Sequence, residues 1–295
     1  MNWLKQLKGK LRRNEPLSRH TTFKIGGRAM LFIEPFDEAD LKRIVINAGP
    51  KHIRILLMGS GSNILVNNAK IAGAVIRLSS PSFKRIIRRD KDLLEAGSGV
   101  TLTQLLNYAR RSGLGGCEFL AGIPGTLGAA LVMNAGVKDG RIGDLVRQVR
   151  VMDYKGNTRI LNKGELQFTY RDSGLKKYIV LGALLKLAAL GKKRISGRIK
   201  KRMEYRIRTQ DYAYPSAGCV FKNPGNGVAA GRLIDMCGLK GTHIGDAYVG
   251  TKHANFILNK GKARASDVLK LMRYVKGKVK NKFGIELEHE IKIWR

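Results

Sequence analysis

Several short stretches of the chain carry side chains capable of chemistry. In YPSAGCVFKNP, residues 214–224, Cys219 stands between a glycine and two apolar residues, and Lys222 and Asn223 follow. No second cysteine forms a CxxC with it. The residues alone leave three roles open: apolar filler, metal ligand, or a thiol that moves a proton. In FTYRDSG, Arg171 lies between Tyr170 and Asp172. Its guanidinium can clamp a carboxylate or phosphate through two hydrogen bonds, or form a surface ion pair. IELEHEI, residues 285–291, alternates like a strand and would set Glu286, Glu288 and Glu290 on one face. A carboxylate on a cleft can act as acid or base, and three in a basic protein also balance charge. His253 precedes an apolar run, where a histidine with a structural role also fits. The five histidines have no metal-ligand spacing, so no metal site is expected.

Two glycine-rich stretches offer backbone in place of side chains. GSGSN (Gly59, Ser60, Gly61, Ser62, Asn63) follows an apolar run. Glycine lets amides approach a phosphate and form an anion nest. The stretch matches neither GxGxxG nor the P-loop, and on turn chemistry alone a tight hairpin turn is the better reading. FLAGIPGTLGAALVMNAG, residues 119–136, is almost free of charge. Its Gly122, Ile123, Pro124, Gly125, Thr126, Gly128, Asn134, Ala135 and Gly136 suit either close approach to a flat ligand or a tightly packed core helix.

The elements that must position these groups are partly legible. A chain of 295 residues suggests about two domains. The residues 29–35, 53–63, 72–79, 91–99, 146–156, 178–188 and 253–259 read as strands. Helices are expected over 37–49, 101–116, 192–208, 229–238 and 266–284, the first opening on acidic residues and closing on Gly49. The main break is expected in the basic connector 192–208. Trp3, Leu4, Leu7 and Leu11 recur at helical spacing among basic residues. They predict a short amphipathic helix that lies on an anionic membrane or docks on the protein.

Composition bounds the class. With 43% hydrophobic residues the chain is globular. It lacks a run of about 18 apolar residues, and its first residues lack a signal-peptide pattern. Three cysteines without paired spacing fit a reducing compartment, so a cytoplasmic location is expected. The 56 Lys and Arg against 22 Asp and Glu give a net charge of +34, which attracts anions and leaves a basic non-enzymatic nucleic-acid- or membrane-binding protein as the alternative to an enzyme. Aromatics at 7% without interleaved basic motifs argue against nucleic-acid recognition.

Taken in order, EPLSRHTTFKIGGRA, LLMGSGSNILV, EFLAGIPGTLGAALVMNAG, YRDS, SAGCVFKNP, KHANFILN and IELEHEIKIW resemble the UDP-N-acetylenolpyruvoylglucosamine reductase family, in its shorter form. The resemblance implies an α+β chain: an FAD-binding fold of the vanillyl-alcohol-oxidase type, built from two α/β subdomains (1–80 and 81–200), and a substrate domain (201–295). It implies noncovalent FAD held by the two glycine-rich stretches, and NADPH as electron donor. The substrate would be UDP-N-acetylglucosamine enolpyruvate, with hydride to C3 and a proton to C2. Arg171, Cys219 and Glu290 fall at the family's catalytic positions, and Lys222, Asn223 and His253 near its substrate. Most members carry serine where this chain has Cys219, which implies that the thiol is the C2 proton donor. A second departure is Val137-Lys138-Asp139, where the family more often has a small and an aromatic residue.

Overall fold

The computed structural model describes residues 2–225 and 227–295, the side chain of Asn2 excepted. The chain forms two compact units. One comprises Met1–Arg13, Leu31–Ser60 and Ala72–Glu204, the other Asn14–Met30, Gly61–Ile71 and Tyr205–Arg295. Each unit is therefore discontinuous in sequence, and the boundary between Glu204 and Tyr205 falls inside the basic helix Lys192–Thr209.

The first unit holds most of a sheet in the order Lys10–Pro16, Arg28–Glu34, Ile71–Ile76, Ile55–Leu57, its last two strands parallel. The helix Glu38–Ala48 starts where the Asp37 carboxylate accepts from the Asp40 amide at 2.8 Å, and it buries Leu41, Ile44, Val45 and Ala48 on one stripe. A five-stranded antiparallel sheet follows, in the order Thr158–Asn162, Val146–Met152, Ile179–Lys186, Leu93–Gly97, Ile86–Arg88. The helices Leu102–Arg111 and Leu127–Val132 share one core with it, among them Leu94, Leu105, Leu131, Val149 and Leu185. Thr101 caps the first of these helices in a capping box with Gln104.

The second unit has an antiparallel sheet in the order Ser216–Cys219, Phe256–Asn259, Ala247–Val249, His243–Ile244. Its core includes Phe221 and, from the helix Ala265–Phe283, Val268, Leu271 and Val275. That helix ends at Gly284 in the left-handed region, φ 70°. The strand Lys292–Trp294 pairs in parallel with Ile64–Val66, which ties the last residues of the chain to an early segment.

Two expectations need correction. The residues expected as an amphipathic helix through Leu11 form a 3-10 turn, Asn2–Gln6, and then the strand Lys10–Pro16. The buried Asp40 carboxylate captures the amides of Lys8 and Gly9 at 3.1 and 2.9 Å, and Trp3 and Leu4 are buried. Their apolar surface is thus covered by the protein itself. Residues 285–291 do not form a strand either: only His289 makes a bridge, to Phe221, and the strand begins at Lys292.

Candidate active site

In the second unit, Cys219 ends the strand Ser216–Cys219, immediately after Gly218 at φ 75°. The next residues run beside the extended segment 288–290. The Glu290 amide donates to the Val220 carbonyl and the Lys222 amide to the Glu288 carbonyl, both at 2.8 Å. The Asn63 side chain donates to the Glu290 carbonyl at 3.3 Å, and the Asn63 carbonyl accepts from Lys292 at 2.9 Å. Asn63, Cys219, Lys222 and Glu290 therefore share one hydrogen-bonded neighbourhood. Thr22 joins it, its amide donating to the Gly61 carbonyl at 3.1 Å and its hydroxyl to the Ser216 carbonyl at 2.7 Å.

The three neighbouring carboxylates differ sharply. Lys222 Nζ meets the Glu288 carboxylate at 2.9 Å, and this contact holds the Glu288 pKa below its usual range. Glu286 faces Lys276 and Lys280 at 3.5 and 3.7 Å. Both are exposed, whereas Glu290 is half-buried. Asn223 Oδ1 accepts from the Ala230 amide at 3.0 Å, at the start of the helix Ala230–Met236. His253 Nδ1 accepts from the Asn255 amide at 3.3 Å, which leaves the proton of a neutral ring on Nε2. Burial, reinforced by the charge of Lys240, holds its pKa below the ordinary histidine value.

In the first unit, Arg171 occupies the left-handed region, φ 59°, in the turn bridged by Thr169 and Asp172. Its Nη1 donates to the Gly136 carbonyl at 3.0 Å. The Asn134 side chain, itself buried, donates to the Thr169 carbonyl at 2.8 Å, and Ser173 Oγ donates to the Val132 carbonyl at 3.0 Å. Three bonds thus fasten the Arg171 turn to the end of the glycine-rich stretch. Asn134 Oδ1 also accepts from the Gly143 amide at 3.1 Å, so the other end of this side chain is held by the short helix Ile142–Leu145. The departure at Val137-Lys138-Asp139 lies in and around a hairpin pairing Gly136–Val137 with Gly140–Arg141.

The glycine-rich residues fit a phosphate-bearing cofactor. A Cβ on Gly59 would sit 2.7 Å from Thr126 Oγ1, and one on Gly128 would sit 2.8 Å from the Ser98 Cβ, so only glycine permits these approaches. The buried Ser98 hydroxyl, beside Gly128, lacks a hydrogen-bond partner among the described residues. Among those residues the amides of Gly59 and Ser60, and of Gly122 and Gly125, also find no acceptor, which leaves donors for an anion. Gly61, the first residue of the second unit's segment, has φ 67°.

Comparison with known proteins bears on the same two regions. Residues 29–162 match the FAD binding domain model, and residues 210–294 match the C-terminal domain model of UDP-N-acetylenolpyruvoylglucosamine reductase. UDP-N-acetylenolpyruvoylglucosamine reductase 2 of Symbiobacterium thermophilum is 43% identical over 288 residues, 97% of this chain and 92% of the relative. The reductase of Desulforamulus reducens is 41% identical over 289 residues, 97% of this chain and 94% of the relative. The crystal structure of the Thermus caldophilus reductase superposes with a TM-score of 0.83 at 36% identity, covering 98% of this chain and all of that one. A solvent-stable cholesterol oxidase, 14% identical with a TM-score of 0.50, covers 62% of this chain and 38% of its own and shares the fold alone. The architecture is the FAD-binding fold of the vanillyl-alcohol-oxidase type with a C-terminal domain, and the chain belongs to the UDP-N-acetylenolpyruvoylglucosamine reductase family.

Proposed function

We infer that the protein is an FAD-dependent oxidoreductase that reduces the enolpyruvyl group of UDP-N-acetylglucosamine enolpyruvate, yielding UDP-N-acetylmuramate for peptidoglycan precursors, with NADPH as electron donor. The residues that would hold FAD, without a covalent bond, are Gly59, Ser60, Gly61, Ser62 and Asn63, with Gly122, Ile123, Pro124, Gly125, Thr126, Gly128, Asn134, Ala135 and Gly136. When bound, FAD supplies hydride for C3 of the substrate. In this reading residues 1–80 and 81–200 form the two cofactor subdomains, and 201–295 the substrate domain.

Hydride addition at C3 of an unsaturated carboxylate pushes negative charge onto C2 and the carboxyl group. The protein must stabilise that charge and deliver one proton. Arg171 and Glu290 stabilise it, since preorganised donors act most strongly where charge develops. A glutamate can donate only in its acid form. Cys219 protonates C2. An ordinary thiol, pKa near 8.5, is protonated at neutral pH and is a stronger acid than the serine hydroxyl it replaces. Lys222, Asn223 and the Nε2–H of His253 bind the anionic substrate, with Lys222 exchanging Glu288 for it.

The observation that supports this most is the hydrogen bond from the Glu290 amide to the Val220 carbonyl, one residue beyond Cys219. The test is Cys219→Ala beside Cys219→Ser. The alanine variant should still accept electrons from NADPH but lose turnover by about 10²–10⁴-fold. The serine variant should keep measurable activity. Full turnover in Cys219→Ala would remove the thiol from the reaction.

Two readings extend beyond catalysis. The three cysteines, none of them in a disulfide, and the nucleotide reactants favour the cytoplasm, and no helix of the described residues is long and apolar enough to cross a membrane. The net charge of +34 favours weak, salt-sensitive adhesion to anionic surfaces.

A further inference from the structure

The strand that ends at Cys219 loses its ladder just where the site needs order. Ser216 pairs with Leu258 and Cys219 with Phe256, so the Cys219 strand carries one extra residue between the two pairs. Beyond Phe256 the partner strand turns away, the Phe256 amide donating to the His253 carbonyl at 2.9 Å. Asn255 replaces the missing ladder. Its carbonyl accepts from the Val220 amide at 2.8 Å. Its side chain accepts from the Phe221 amide at 2.9 Å and donates to the Phe221 carbonyl at 2.8 Å. Asn255 is 3% exposed and Phe221 1% exposed, so an apolar side chain here would leave two buried backbone groups unpaired. On the other edge, the Val220 carbonyl accepts from the Glu290 amide and the Lys222 amide donates to the Glu288 carbonyl.

We propose that Asn255 is a positioning residue for the protonation step. It clamps the segment that continues from Cys219 and that the Glu290 amide bonds, and so holds thiol and carboxyl in fixed register. Its own amide also donates to His253 Nδ1, which joins the substrate-binding imidazole to the same clamp. The inference rests on the reading of Cys219 as proton donor.

The test uses FAD-loaded enzyme and stopped-flow kinetics, with flavin reduction by NADPH and reoxidation by UDP-N-acetylglucosamine enolpyruvate measured separately. Asn255→Leu should leave reduction within about twofold and slow reoxidation by on the order of 10²-fold, the scale of a small misplacement. Asn255→Asp should behave differently. Its carboxylate accepts from Phe221 but repels the Phe221 carbonyl, whereas its acid form restores both bonds, and burial raises its pKa. Its reoxidation rate should therefore recover toward wild type as pH falls. Cys219, Lys222, His253, Glu288, His289 and Glu290 surround this segment in wild type as well, so the difference between the two pH profiles isolates the new carboxyl group at position 255. Wild-type reoxidation by Asn255→Asp at every pH, with Cys219→Ala collapsed, would overturn the positioning role, even if Asn255→Leu does not fold. Full reoxidation by Cys219→Ala would instead overturn the proton-donor reading and this inference with it.

Discussion

Glu288 and Glu290 stand two residues apart, yet changing each to glutamine should have opposite consequences. The Glu288 side chain is 73% exposed and paired with Lys222 at 2.9 Å. An ion pair that open to water is weak, and its loss should change any rate constant by less than about fivefold. The same contact keeps Glu288 ionised through the neutral range, where it has no proton to donate. Glu288→Gln should also release Lys222, so its effect should appear in KM for the anionic substrate and not in kcat. Glu290→Gln removes a group proposed to act in the transition state, which typically costs about 10²–10³-fold. Its loss should fall on flavin reoxidation while reduction by NADPH stays near wild type. Both variants keep the Glu288 carbonyl and Glu290 amide that bond Lys222 and Val220, so the backbone pairing survives. Stopped-flow traces of the two half-reactions, recorded with both variants, decide the matter. A 10²-fold loss in Glu288→Gln together with wild-type reoxidation in Glu290→Gln would refute the reasoning.

Arg171→Lys keeps a charge but loses the fork. Reoxidation should fall by on the order of 10²-fold with FAD content unchanged, and a wild-type rate would remove Arg171 from the reaction. Glu34 is held at about 2: burial opposes this, but hydrogen bonds from Ser79, Arg77 and Arg12 and the charge of Arg77 prevail. Because its folded pKa is depressed, this stabilisation is complete above the ordinary carboxylate range and is lost as pH falls toward 2. Glu34→Gln should lose about 2 kcal/mol at neutral pH and flatten the acid limb of a denaturation series, and an unchanged acid limb would contradict the assignment. Cys117, pushed up to about 12 by burial and by the charge of Glu118, should resist iodoacetamide at about pH 8 in the native protein and react once it is denatured. Peptide mass analysis checks this, and rapid native labelling would refute it.

Local patterns were legible and long-range partners were not. The helix Glu38–Ala48 announces itself through the Asp37 cap and its apolar stripe, and Ala265–Phe283 through the Gly284 stop. The leucine spacing near the start misleads because Asp40, far along the chain, captures the Lys8 and Gly9 amides. The alternation in residues 285–291 misleads for a related reason: its partner is only the short segment at Val220–Lys222, too brief to make a strand. That Lys222 meets Glu288 across 66 residues leaves no mark in either motif. Asn255 leaves a signal, an amide set between Ala254 and Phe256 ahead of Ile257 and Leu258, but periodicity assigns such a residue to a strand and not to a clamp. The pairing of Ile64–Val66 with Lys292–Trp294, which makes the second unit discontinuous, depends on contacts that no local window contains.

The most direct test of the central claim is an anaerobic titration of the purified protein. The protein should be yellow, its flavin absorbance bleached by one equivalent of NADPH and restored by one equivalent of UDP-N-acetylglucosamine enolpyruvate, with UDP-N-acetylmuramate as the product by mass. A flavin that NADPH bleaches but the enolpyruvyl substrate leaves reduced would contradict the claim.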